Sequence, residues 1–436
     1  LAKSTIVAAL GGLLFGFDTV VISGTTSGLT TTYHLSPWLK GFTVSAALWG
    51  TVVGSLLAGL PGDKYGRRDS LRGMAVLYLV SALGCAGAWS WTALVVFRFV
   101  CGLAIGGSSV LGPMYIAEIA PASWRGRLVG FFQFNIVFGI LVAYLSNYLI
   151  GQLNLGNEEW RWDLGVTAIP AAFFFVMLFF IPRSPRWLVK KQRTLEAREV
   201  LKATGEPNYD RQLQEIAASI DAEHGHADEP LFSAKYKFPI FLAVSIAFFN
   251  QFSGINAILY YLNDIFAGAG FSKVSSSQQA VLVGLTNLIF TVLAMSVIDK
   301  FGRKKLLLIG AVGTSACLAG VASVFASGRR PELLIWLLVI YIAFFAFSQG
   351  AVIWVYISEV FPNRVRARGQ SLGSFTHWIC AALISLGFPE VAKWSKPLPF
   401  VFFGVITAIQ FLVVLLAYPE TKGVSLEEIQ KEMSVA

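Results

Sequence analysis

Twelve stretches of about 20 mostly apolar residues recur along this 436-residue chain, and that repetition limits its fold more than any other feature. They centre near Leu14, Val52, Val80, Ala104, Gly139 and Phe174, then near Phe249, Leu288, Leu318, Tyr341, Cys380 and Val405. A hydrocarbon layer offers the backbone no hydrogen bonds, so each stretch must form a helix that satisfies its own peptide groups. The expected fold is an all-α membrane protein of twelve transmembrane helices. Composition agrees: 55% of residues are hydrophobic, 14% are charged and the mean hydropathy is +0.64. Soluble domains of this length carry far more charge.

Even numbers of spans leave both ends of a chain on one side, and basic residues say which side that is. Lys40, Arg161, Lys273, Arg329, Arg330, Lys393 and Lys396 occupy the loops after odd-numbered spans, and Arg98 lies inside a span. The other 26 of the 34 basic residues fall in the remaining loops and tails. Both termini are therefore expected in the cytoplasm, with the protein multi-pass in a plasma membrane. No cleavable leader is evident, and no Asn-x-Ser/Thr sequon occurs, which favours a bacterial cytoplasmic membrane. Between Arg183 and Lys237 the apolar signal stops; Leu195 to Ala203 and Tyr209 to Ala222 have the periodicity of short, charged cytoplasmic helices.

The chain also repeats itself. Asp63-Lys64-Tyr65-Gly66-Arg67-Arg68 follows span two, and Asp299-Lys300-Phe301-Gly302-Arg303-Lys304 follows span eight. Glu118 with Arg125 closes span four, and Glu359 with Arg366 closes span ten. Pro182-Arg183-Ser184 ends span six, and Pro419-Glu420-Thr421 ends span twelve. The three offsets lie between 236 and 241 residues, which reads as two pseudo-symmetric six-helix bundles. The expected organisation is an N-terminal bundle over 1–182, a cytoplasmic helical linker over 183–236, a C-terminal bundle over 237–418 and a tail over 419–436. Acidic and basic groups at corresponding ends (Asp63, Arg67, Arg68, Glu118, Arg125, Asp299, Arg303, Glu359 and Arg366) could form a gating network that pairs in one conformation and parts in another. Headgroup anchoring is the simpler alternative for the same charges.

With Gly62-Asp63-Lys64-Tyr65-Gly66-Arg67-Arg68, Pro182-Arg183-Ser184-Pro185-Arg186-Trp187-Leu188, Gln251-Phe252-Ser253-Gly254-Ile255-Asn256 and Pro419-Glu420-Thr421-Lys422-Gly423 in this order, the chain resembles the sugar porter family of the major facilitator superfamily over essentially its whole length. The resemblance implies the major facilitator fold and alternating access around a central sugar site, with salt bridges latching one end. Four positions depart from the family pattern. Arg183 stands for the usual Glu, so one latch bridge is missing or reversed in sign; Asn250 stands for Gln, His377 for Asn or Gln, and Ala351 for Pro.

Sugar presents hydroxyls and apolar ring faces, so its site calls for neutral amides and an aromatic wall. Gln133, Asn250, Gln251, Asn256 and Asn287 are amides at membrane depth, and Trp354, His377 and Trp378 offer a stacking platform. Asn250, Gln251 and Asn256 of span seven do not share one helical stripe, which predicts a break near Gly254. By resemblance, Gln133, Gln251, Asn256, Asn287, Gly350, Trp354 and Trp378 contact the substrate, Asn250 and His377 do so with altered side chains, and Phe15 and Tyr260 close around it. Amides that merely join helices are the competing reading. Asp18 in span one and Arg98 in span four place charge at the helix interior, at about 2.5 to 3.5 kcal/mol each unless paired or hydrated. By resemblance, Asp at position 18 marks the proton symporters, with Arg98 its partner; a permanently locked ion pair is the alternative.

The expected partners are a monosaccharide (hexose or pentose), a proton and the lipid bilayer, with no nucleic acid, no cofactor and no metal. Net charge of +9 comes from loop clusters, not from one polar face of the kind that binds nucleic acid. Cys85, Cys101, Cys317 and Cys380 lie within apolar stretches at no ligand-like spacing, and His224-x-His226 reads as a solvated loop. No nucleophile with a base suggests an enzyme, and no phosphate-cradling loop suggests ATP-driven transport. The expected function is sugar/proton symport; a facilitative sugar uniporter, or a sugar sensor on the same fold, is the alternative.

Overall fold

The computed structural model describes residues 1–121, 124–204, 208–224, 230–362 and 365–422, leaving out the side chains of 125, 126, 221–224, 274 and 299. The side chains of Arg125 and Asp299, the His224-x-His226 pair and the tail helix expected from Ser425 lie outside the described residues. Among the described residues every regular element is helical. Eleven helices among the described residues are long and apolar enough to cross a membrane, and a bent pair, Pro37–Leu57 with Gly59–Tyr65, makes up to twelve.

These spans match the expected positions, from Ala2–Tyr33 through to Leu398–Ala417. Their outward faces carry exposed Leu56, Leu149, Val405 and Leu416, surfaces that only lipid would cover well. Between spans six and seven, Pro185–Lys190, Thr194–Ala203 and Tyr209–His224 form short helices. Arg198 forks onto Asp210 at 2.8 and 3.0 Å, and that bond holds the Asp210 carboxyl below the usual carboxylate range.

The chain divides into two compact units. The first comprises Leu1–Thr19, Trp49–Ile140 and Arg161–Asp228; the second comprises Val20–Leu48, Leu141–Trp160 and Glu229–Ala436. The first unit's core packs Leu14, Leu71, Tyr78, Leu111, Phe132 and Phe174, and the second's packs Leu242, Ile246, Leu307, Ile353, Tyr356 and Val414.

Close helix approach in the first unit depends on glycine. A Cβ at Gly16 would lie 1.8 Å from the Ile136 carbonyl oxygen, and one at Gly139 would lie 2.1 Å from that of Leu13. Backbone cannot yield as a side chain can, so spans one and five owe their contact to these residues. We expect Gly16→Ala to lower stability by about 1–3 kcal/mol, read as a fall in the melting temperature of the detergent-solubilised protein. Gly73, where an added Cβ meets nothing within 4 Å, should accept alanine without loss. Equal melting temperatures for both variants would contradict this packing.

The internal repeat reappears in geometry. Gly66 and Gly302 adopt nearly the same left-handed backbone, φ 90° and ψ 157° against φ 88° and ψ 157°, a conformation that only glycine adopts easily. Each turn presents the following arginine back to a carbonyl five residues earlier: Arg67 Nη1 to Gly62 at 2.7 Å, Arg303 Nη1 to Ile298 at 3.4 Å. Tyr115 likewise donates to the Pro182 carbonyl and Tyr356 to that of Pro419, at 2.8 and 3.2 Å.

Candidate functional site

Span seven breaks where the sequence places its glycine. Lys237–Phe252 and Ile255–Tyr260 are separate helices, with Gly254 in the left-handed region at φ 88°. A Cβ there would also lie 2.3 Å from the Phe403 ring, so conformation and space both require glycine. The freed backbone keeps partners: Ser253 Oγ donates to the Asn250 carbonyl at 2.7 Å, and Tyr341 Oη donates to the Ser253 carbonyl at 2.9 Å.

A second break, which the residue pattern does not signal, falls in span ten between Leu333–Phe347 and Gln349–Val360, at Ser348. Asn250 Nδ2 donates to the Gln349 carbonyl at 3.3 Å and so ties the two interruptions together. Gln349 Nε2 in turn donates to Gln410 Oε1 at 2.9 Å. Neither glutamine stands out in the sequence, since each sits among mostly apolar neighbours with no motif around it.

Around these breaks the second unit gathers a neutral polar network. Gln251 Nε2 donates to Asn250 Oδ1 at 3.1 Å and to the His377 ring, whose Nε2 lies 3.0 Å away. Asn256 Nδ2 donates to Gln251 Oε1 at 2.8 Å. The His377 ring packs between two indoles, 5.0 Å from Trp354 and 4.9 Å from Trp378. Asn250, Gln251, Asn287, His377, Trp378 and Tyr260 are buried, Asn256 and Gly350 are half-buried, and Trp354 is 38% exposed. Donors, acceptors and an aromatic face thus meet without a formal charge, which suits a polyhydroxylated neutral ligand.

In the first unit, Gln133 and Phe15 are half-buried on spans five and one. Asp18 and Arg98 are buried in the same unit, at 5% and 2% exposure. One Asp18 oxygen, Oδ2, and the Arg98 Nε lack hydrogen-bond partners. The two therefore do not form a fully satisfied, locked bidentate pair.

Charged span ends form corresponding ion-pair clusters in the two units. Arg67 Nε contacts Glu118 at 3.0 Å while Nη1 contacts Asp63 at 2.9 Å. Arg303 holds Glu359 with Nη2 at 2.8 Å and Nε at 3.2 Å. Glu420 and Thr421, marked in the sequence as a repeat and a family motif but given no site role, complete the second cluster: Glu420 accepts from the Arg303 and Lys304 amides, and Thr421 Oγ1 donates to Glu359 at 2.6 Å. Arg366 turns instead to the Phe361 carbonyl at 3.2 Å, and Arg68 to Asp69 and the Ile181 carbonyl.

Basic residues of the loops after odd-numbered spans also find partners. In the second unit, Lys40 pairs with Asp264 at 3.0 Å and Lys273 with Glu159 at 2.8 Å. Tyr144 Oη in the same unit donates to the Leu259 carbonyl at 2.7 Å. Each contact joins a segment before residue 161 to one after residue 258.

Comparison with known proteins agrees with this geometry. The profile of the family described as Sugar (and other) transporter matches residues 4–433. The D-xylose-proton symporter of Escherichia coli K12 is 36% identical, covering 98% of this chain and 94% of the relative. The arabinose-proton symporter of Bacillus subtilis is 35% identical over 97% and 93% of the two chains. Among solved structures, the inward-open conformation of the xylose transporter XylE from E. coli superposes with a TM-score of 0.88 at 36% identity, covering 98% of each chain. Given these matches, the repeated Arg-carboxylate turns and the broken spans, the chain belongs to the sugar porter family of the major facilitator superfamily and is a membrane transporter, not an enzyme.

Proposed function

We propose that this transporter carries a monosaccharide together with a proton, by alternating access, across a bacterial cytoplasmic membrane. The observation that carries the reading is the uncharged network of buried Gln251, Asn250 and His377 with half-buried Asn256, beside Trp354 and Trp378. Its donors and acceptors can exchange partners with sugar hydroxyls, and the indoles can stack on a pyranose face. Asn287 and Gly350 act with them, and Gln133, Phe15 and Tyr260 keep the roles the resemblance assigns. The relatives named for D-xylose and arabinose make a pentose the first substrate to try.

Asp18 is the proposed proton carrier, with Arg98 the charge that replaces the proton in the other state. The Arg67–Glu118 and Arg303–Glu359 clusters each lie within one half and would exchange partners between halves when the cytoplasmic end closes, with both termini on that side, while Lys40–Asp264 and Lys273–Glu159, which join the two halves, latch the outer end. The six-helix halves, 1–182 and 237–418, are the bodies that alternate, linked by 183–236 and followed by the tail 419–436.

The test is uptake of labelled xylose, arabinose and glucose into proteoliposomes, with and without an inside-alkaline pH gradient. Concentrative uptake of at least one sugar, only with the gradient, is expected. Equilibration that ignores the gradient would identify a uniporter, and binding without movement would identify a sensor.

A further inference from the structure

Where span six ends, one carboxylate faces three guanidiniums. Asp69 Oδ1 accepts from Arg68 Nε at 3.0 Å and from Arg72 Nη1 at 2.7 Å, while Oδ2 accepts from Arg183 Nε and Nη2, both at 3.1 Å. Arg183, the residue that departs from the family pattern, thus makes a bridge of reversed sign. A single structural ion pair needs one arginine; this cluster keeps two positive charges uncompensated.

Its other hydrogen bonds fix its place. Arg68 Nη1 donates to the Ile181 carbonyl and Arg72 Nη2 to the Leu178 carbonyl, each at 3.1 Å, at the last turn of the span. Arg72 Nε is buried with no partner. The Arg72 guanidinium lies 4.1 Å from the Phe179 ring centre, and Lys3 Nζ lies 5.2 Å from that of Phe180. Both phenyl rings are more than half exposed. Surplus cations and bare aromatic rings therefore stand side by side where an apolar helix stops.

We propose that this cluster binds the phosphate of an anionic phospholipid from the leaflet at the charged-motif end. Guanidiniums present paired donors to phosphate oxygens, and basic groups near an anionic membrane surface each contribute appreciably to binding. A lipid rather than a soluble phosphate is favoured because its acyl chains would cover Phe179 and Phe180. The preference belongs to this chain in particular. With the family's usual Glu at 183, the cluster of Arg68, Arg72, Asp69 and Glu would be neutral.

The full-length protein, purified in detergent with equal amounts of dioleoyl phosphatidylglycerol and dioleoyl phosphatidylcholine, is measured by native mass spectrometry for retained lipid. Wild type should retain phosphatidylglycerol preferentially, and Arg183→Glu should lower that preference about tenfold. Arg211→Glu, a charge reversal at an exposed residue that pairs with Glu215 and not with Asp69, should keep it. If Arg183→Glu does not yield folded protein, Arg183→Gln removes the charge without adding another. No preference in wild type, or an undiminished preference in the Arg183 variant, overturns the proposal. Displacement of phosphatidylglycerol by millimolar glycerol 3-phosphate also overturns it, by assigning the cluster to a soluble anion.

Discussion

Asp18→Asn should abolish sugar accumulation driven by a pH gradient while sparing exchange of sugar across the same vesicles. In a one-proton symport, a gradient of one pH unit supports at most about a tenfold sugar concentration ratio, or about 1.4 kcal/mol. Wild-type vesicles should approach that ratio, and the variant should settle near unity. Asn keeps the size of the side chain and, like the protonated acid, offers both an acceptor oxygen and a donor, but can neither lose nor gain the proton. Its counterflow rate should stay within about threefold of wild type, because moving loaded sugar needs both conformations but no net proton transfer. The structural basis is the burial of Asp18 with an unpartnered oxygen, in the same unit as Arg98, whose Nε is also unpartnered. A permanent ion pair would instead satisfy those atoms, and its loss would lower folded yield and counterflow together. Accumulation that survives in the Asn variant would remove Asp18 from the coupling step.

Features that depend on local chemistry are legible in the residues themselves. Span positions follow from apolar length, and the Gly254 break follows from glycine among amides that share no helical stripe. The repeated turns at Gly66 and Gly302 stand out because a positive φ restricts residue choice to almost one type. The Ser348 break is hidden, since serine occurs in unbroken membrane helices too and span ten is otherwise uniformly apolar up to that point. Long-range pairing is hidden for a different reason. Lys40 and Asp264 lie 3.0 Å apart in space but more than 200 residues apart in sequence, and charge counting assigns a side without naming a partner. Arg183 lies between these cases. Its departure from the family pattern signals a lost or reversed bridge, but only the fold identifies Asp69 as the acceptor.

Gln251→Ala should weaken sugar binding by roughly 30- to 1,000-fold, the equivalent of about 2–4 kcal/mol. The side chain joins three groups at once, donating to Asn250 and His377 and accepting from Asn256. Truncation removes the direct sugar contact proposed for Gln251 and leaves those neighbours to pair with one another or with water, so the remaining donors no longer point at fixed places. Gln251→Glu should do at least as much damage, because it replaces the amide donor with an acceptor facing Asn250 Oδ1 and a ring nitrogen. Gln410→Ala supplies the contrast needed to separate ligand reading from helix joining. Gln410 is equally buried, yet its side chain bonds to Gln349 rather than to the network around His377. That variant should melt at a lower temperature and keep its sugar affinity within about threefold. Sugar titrations followed by tryptophan fluorescence, to which Trp354 and Trp378 contribute, alongside melting curves, measure both quantities on the same samples. If the two alanine variants lose stability alike and neither loses affinity, Gln251 is a strut between helices and the proposed sugar site lies elsewhere.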